Sequence, residues 1–171
     1  MTKTRKGLIV ALLHILIVLS LGGKFLYDRT HRPRVWVKTG SIDPDLPIRG
    51  RYLTLSLEVH APELAQLRTA PNYNWQPVVL AAENGELVAH PVDTPSSMSI
   101  GTGAKTPMPA QDDLYFLSPA VDFFIPEHAE TPHRTGDDEV WAEVTIPRKG
   151  PPRPIQLAIK HGSQWMPLTY R

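Results

Sequence analysis

A chain of 171 residues has room for one ordinary domain of about 100–150 residues together with a membrane anchor. Lys+Arg of 18 against Asp+Glu of 17 leaves a formal charge of +1, too balanced for a whole-chain field that would draw in nucleic acid or an acidic substrate. The absence of cysteine excludes disulfides, thiol nucleophiles and thiolate metal sites, and 18 prolines with 11 glycines favour strands joined by turns over long helices.

The first element is apolar. From Leu8 to Leu21 the residues that are not Leu, Ile or Val are Ala11, His14 and Ser20. The 11 strongly apolar side chains favour insertion by about −3 to −6 kcal/mol, which one neutral imidazole does not overturn. With Lys24 snorkelling, residues 7–27 are long enough at about 1.5 Å per residue to cross a hydrocarbon layer roughly 30 Å thick, and they are the expected contact with lipid. Lys3, Arg5 and Lys6 precede the run without an acid among them, which places the N-terminus in the cytoplasm. Lys24, Arg29, Arg32 and Arg34 on the far side oppose that assignment, with Asp28 as the one acid among them. A cleaved signal peptide would share the basic tip and apolar core, but the exit SLGGKF lacks a clean small-x-small cleavage site. The expected division is therefore residues 1–30 as cytoplasmic tip and transmembrane signal-anchor, and 31–171 as an extracytoplasmic β-rich domain. His14 at membrane depth is a candidate contact with another helix, with simple tolerance of a neutral ring as the plainer alternative.

Asp28 to Pro33 reads as a polar linker and Arg34 to Lys38 as a first short strand. In RYLTLSLEV, Leu53, Leu55, Leu57 and Val59 alternate strictly with Tyr52, Thr54, Ser56 and Glu58, the pattern of a half-buried strand. Pro62 to Arg68 is the one helical candidate, of two turns, with proline in its first turn and Leu64 and Leu67 on one side. Trp75 to Ala82 and Leu87 to Val92 flank Asn84-Gly85, whose tolerance of positive φ predicts a tight hairpin. Asp93 to Asp113 is rich in small residues and proline and is expected to be a long surface loop. Strands follow at Leu114 to Leu117 and Val121 to Ile125, then a polar segment from Pro126 to Asp138. A second good pair is expected at Val140 to Ile146, alternating with Trp141, Glu143 and Thr145, and at Ile155 to Ile159. Their proline-rich connection, PRKGPPRP, should lie outside the sheet. His161 to Gln164 reads as a turn into a last strand, Trp165 to Leu168. The sum is a mainly β chain: one transmembrane helix, then about eight strands in a curled or barrel-like antiparallel sheet with at most one short helix.

Gly50-Arg51-Tyr52-Leu53-Thr54-Leu55-Ser56-Leu57, preceded by Ile42-Asp43-Pro44 and Arg49, resembles the GDYXXLXY family, named for the motif Gly-Asp-Tyr-x-x-Leu-x-Tyr. Its members are small bacterial membrane-anchored proteins of unknown function. Gly50, Tyr52 and Leu55 match the motif, while Arg51 stands in place of its Asp and Leu57 in place of its last Tyr. Phe123-Phe124-Ile125-Pro126-Glu127 is similar to the family's aromatic-Ile-Pro-Glu segment, so Phe124, Pro126 and Glu127 are its matching positions. The resemblance implies a domain in the periplasm on a single inner-membrane helix, partnered with a multi-spanning membrane protein, and it carries over no catalytic residue. The residues themselves point to architecture first, with Leu55 and Leu57 on the apolar face and Tyr52 on the other.

Catalytic chemistry finds little support. Ser97-Met98 with Lys105 invites comparison with serine-lysine signal peptidases, but Ser97 follows the Gly50 strand instead of preceding it, and the loop is poor support for a nucleophile. His128, His133, Glu127 and Glu130 are the densest cluster of metal-ligand types, without the helical spacing of a zinc site. His60 and His90 could meet across neighbouring strands, although strand histidines are usually structural. No catalytic set, metal or cofactor is expected. The leading reading is a non-enzymatic accessory or interaction module that uses sheet edges or loops to contact a membrane partner. The alternatives are a membrane-tethered hydrolase, or an envelope ligand-binding module, which would need a concave apolar pocket.

Overall fold

The computed structural model describes residues 3–45, 51–67, 74–103, 113–126, 129, 132 and 138–170. The chain divides into two compact units, Met1–Arg32 and Pro33–Arg171.

The first unit is a single helix, α1 (Lys3–His31). Its Arg5–Asp28 stretch of 24 residues, whose most apolar 18-residue window has a mean hydropathy of 2.3, is long and apolar enough to cross a bilayer. The helix runs through Asp28–His31, which the sequence marks as linker. Arg32 closes an i,i+4 ion pair on Asp28 at 3.1 Å, and the Thr30 hydroxyl donates to the Leu26 carbonyl at 3.0 Å, so this polar turn is satisfied as helix. Pro33 then ends it, because the residue before a proline is pushed out of helical geometry.

The second unit is mainly β. Its strands are β1 (Arg34–Asp45), β2 (Arg51–His60), β3 (Asn74–Glu83), β4 (Glu86–Pro91), β5 (Met98–Thr102), β6 (Leu114–Ser118), β7 (Val121–Ile125), β8 (Glu139–Thr145), β9 (Arg153–His161) and β10 (Gln164–Leu168). The hydrogen-bonded order is β10-β9-β8-β1-β2-β4-β3-β5-β6, and β6 pairs back onto β2 to close a barrel-like ring. Strand β2 is the hub of the sheet. Its first half lies between β1 and β7, with Leu55 opposite both Ile42 and Val121, while its last residues pair with β6 and, in parallel, with β4. The strict alternation of this strand is what permits the double use: Leu53, Leu55, Leu57 and Val59 are all buried, and the intervening side chains face outward.

Several expectations are corrected. Among the described residues ten strands form, where about eight are expected. Strand β1 continues past Lys38 to Asp45 across a register shift between Thr39 and Ile42. Gly40 lies at that shift, where a Cβ would overlap the Phe116 ring on β6, so a larger residue would have to push that ring aside. The expected loop after Asp93 contains β5, because Met98 and Ile100 alternate into the core and the strand pairs with β3 and β6. The helical turn before β3 is a 3-10 helix, Pro62–Leu67, held by the buried Tyr115 hydroxyl donating to the Leu64 carbonyl at 2.6 Å. Arg153 and Pro154, assigned to the connection, belong to β9: Pro154 sits opposite Val144 beside a register shift, where a ladder can do without its N–H. The β3–β4 hairpin turns on Asn84 and Gly85 at φ of 52° and 86°, as their chemistry predicts.

Candidate functional site

From Arg34 to Gly40 on β1 and from Glu139 to Val144 on β8 the odd and even positions part cleanly. Val35, Val37, Val140 and Ala142 fill the core, so Trp36, Lys38, Glu139 and Trp141 must face outward. Register then gathers them: Lys38 lies opposite Trp141, Glu139 opposite Lys160, and Lys160 opposite Trp165. The result is a cluster of indoles with an ionic rim. Trp165 meets Trp36 at 5.4 Å between centroids with planes at 62°, and Trp141 at 5.3 Å and 59°. The Lys160 ammonium rests over Trp141 at 5.2 Å and over Trp165 at 5.8 Å. Glu139 receives Lys38 at 2.6 Å and the Trp141 indole N–H at 3.1 Å. The Lys38 hydrogen bond holds the Glu139 carboxyl below its ordinary range, against a smaller upward push from burial.

The end of β2 and the β3–β4 turn add Glu58, His60, Asn84 and Glu86 to the lining of the same cleft, of about 910 Å³. That turn is placed by the Asn-Gly geometry, and His60 is fixed by donating from Nδ1 to Asp113 at 2.9 Å with Glu86 at 3.6 Å from Nε2. Such a site can stack flat apolar faces on indole and offer donors and acceptors at its rim. The described lining holds no hydroxyl or thiol nucleophile.

The positions singled out in the sequence are distributed elsewhere. Tyr52 and Phe124 pair in register between β2 and β7, their rings 5.4 Å apart at 66° and exposed by 40% and 54%. Leu55 is in the core, Pro126 follows β7 half-buried, and Gly50 and Glu127 lie outside the described residues. The two stretches that carry the family resemblance are thus neighbouring strands. His14 donates from Nδ1 to the Val10 carbonyl at 2.8 Å, within its own helix. Ser97 is exposed, while Lys105, His128, Glu130 and His133 lie outside the described residues. His60 and His90 take separate carboxylate partners. Among the described residues no group of three or more His, Asp or Glu is placed to hold a metal ion.

His90 is clamped at both nitrogens, Nδ1 at 2.9 Å from Glu63 and Nε2 at 2.8 Å from Glu83, and only the imidazolium donates from both. The hydrogen bond to Glu63, then that to Glu83, raises its pKa above the ordinary 6.5. A raised folded-state pKa makes the clamp's contribution complete below the unfolded value and removes it as pH rises through the folded one. The thermal midpoints of wild type and His90→Gln should therefore differ most near about pH 6 and converge toward alkaline pH. The gap stays below about 1 kcal/mol, because all three side chains are substantially exposed.

The indole cluster is the feature that sequence reading missed. Its signal was the placement of Trp141 on the polar parity of an otherwise alternating strand, where a large ring has no core to fill. No family model, no curated protein and no solved structure matches this chain.

Proposed function

We propose that the chain is a membrane-anchored, non-enzymatic accessory module of the bacterial envelope, with α1 in the inner membrane and the β domain in the periplasm. Its working surface is the cleft lined by the Trp36, Trp141 and Trp165 face and the β3–β4 turn. One observation carries this reading: three large rings are gathered, partly open to solvent, in a concavity with a polar rim. Clustered indoles left outside a core are a hallmark of recognition surfaces. The basic tip at Lys3, Arg5 and Lys6 supports the orientation. The resemblance to the GDYXXLXY family supports the envelope location and a multi-spanning membrane protein as neighbour, for which His14 is the candidate helix contact.

The ligand-binding form of this module is favoured over contact through sheet edges on the strength of this concavity, although its lining is part indole and part ionic and not the apolar pocket expected from the sequence. A hydrolase reading has less to stand on, since Ser97 is an exposed residue apart from the indole cleft. The test is photocrosslinking in native membranes from a photoreactive residue at position 165, with position 79 on the exposed face of β3 as control. The expected result is a defined adduct from 165 and none from 79. Adducts from 79 with none from 165 would contradict the assignment of the cleft.

A further inference from the structure

Taking the cleft as the working surface, we infer that its ligand is a saccharide chain, packed into the indole corner beside the Lys160 ammonium and hydrogen-bonded along the ionic rim. Four features of the cleft select that chemistry.

The first is the angle between rings. Trp165 stands at 62° to Trp36 and 59° to Trp141, so the indoles form a corner and not a parallel slot. A flat aromatic ligand needs parallel planes to be gripped on both sides. A pyranose chair is puckered, with an apolar face of axial C–H bonds, weakly positive, that lies against the negative face of one indole while its edge meets another.

The second is Lys160. Its ammonium already lies over both Trp141 and Trp165, in the position a cationic ligand would seek. A quaternary ammonium or a basic peptide would have to displace it. Hydroxyl groups instead gain a donor there.

The third is charge balance. Lys38 and Lys160 both approach Glu139, at 2.6 and 4.0 Å, and Glu58, Glu86 and His60 share the cleft. The lining has no single-sign field of the kind that selects phosphates or polyanions.

The fourth is the alternation of donors and acceptors around the rim. Lys38 and Asn84 can donate, Glu86 and Glu139 accept, and His60 lies between them. Vicinal hydroxyls both donate and accept, so a sugar can satisfy such a rim, whereas an apolar ligand would leave its polar groups unpaired.

Tryptophan fluorescence of the full chain provides the test, because three of its 4 tryptophans line the cleft. The protein is held in a polyoxyethylene detergent, which carries no sugar headgroup, and titrated with soluble β-linked oligomers of N-acetylglucosamine and of glucose. The expected result is a saturable change in emission with at least one oligomer. Trp165→Ala should weaken binding by roughly two- to tenfold, Trp165→Phe should retain most of it, and Trp75→Phe should leave it unchanged. No response to either oligomer overturns the saccharide assignment, as does a response confined to tetramethylammonium or a basic peptide. If the adduct from position 165 forms while the oligomers fail, the cleft stands and only its ligand class falls. Failure of both removes the cleft as well.

Discussion

Leu55→Ala should destabilise the β domain by about 2–5 kcal/mol, the range for truncating a fully buried leucine in a core that cannot collapse onto the gap. Leu55 is 0% exposed and sits in the half of β2 that is flanked by β1 and β7 at once. A void there withdraws contacts from two strand pairs rather than one. Against a typical total of about 5–15 kcal/mol this is a large fraction of the domain's stability. Urea titration of the full chain in detergent, followed by far-UV circular dichroism, should show a lowered midpoint with an unchanged slope. Thr54→Ala, one residue earlier on the outward face with a hydrogen bond to Asp122, should cost about 1 kcal/mol or less.

The second large effect is on the anchor. Arginine at both Leu12 and Leu16 adds about 2.5–3.5 kcal/mol per site and removes two favourable leucines, a total change of about 6–8 kcal/mol. That exceeds the roughly −3 to −6 kcal/mol supplied by the Leu8 to Leu21 run. The double variant should therefore leave the carbonate-resistant membrane fraction, whereas Leu12→Ile with Leu16→Ile should remain in it. Neither position contributes to the β domain, so the variant's domain should unfold at the wild-type urea midpoint.

Much of the fold could be read from the residues because it rests on local periodicity. The alternation from Leu53 to Val59 and the Asn84-Gly85 turn are decided within a few residues, and both stand in the structure. Strand β5 was hidden because Met98 and Ile100 are its two large apolar positions and its remaining residues are small, so its burial comes from β3 and β6 and not from its own composition. The extra turn of α1 is closed by the Arg32–Asp28 pair and the Thr30 hydroxyl, polar groups whose composition reads as linker.

The cleft was less legible for a different reason. Trp36 and Trp141 belong to strands from opposite ends of the domain, and they become neighbours only because β1 pairs with β8. Nothing within either strand announces that pairing. The outward parity of each indole was visible, but the cleft also takes its lining from the β3–β4 turn, which β4 brings there by pairing with β2. The motif residues show the converse. Tyr52 and Phe124 were singled out by resemblance, and the structure places them side by side on an outer face, away from the described lining of the cleft.

The proposal as a whole depends on a domain tethered outside the cytoplasm by an uncleaved helix. Protease treatment of spheroplasts carrying the full chain with a C-terminal epitope tests this most directly. The expected result is loss of the tag on protease addition without lysis, together with a carbonate-resistant untreated chain that retains Lys3, Arg5 and Lys6 at its N-terminus. A tag that survives until the cells are lysed, or a mature chain that starts beyond Gly23 and washes off with carbonate, would contradict it.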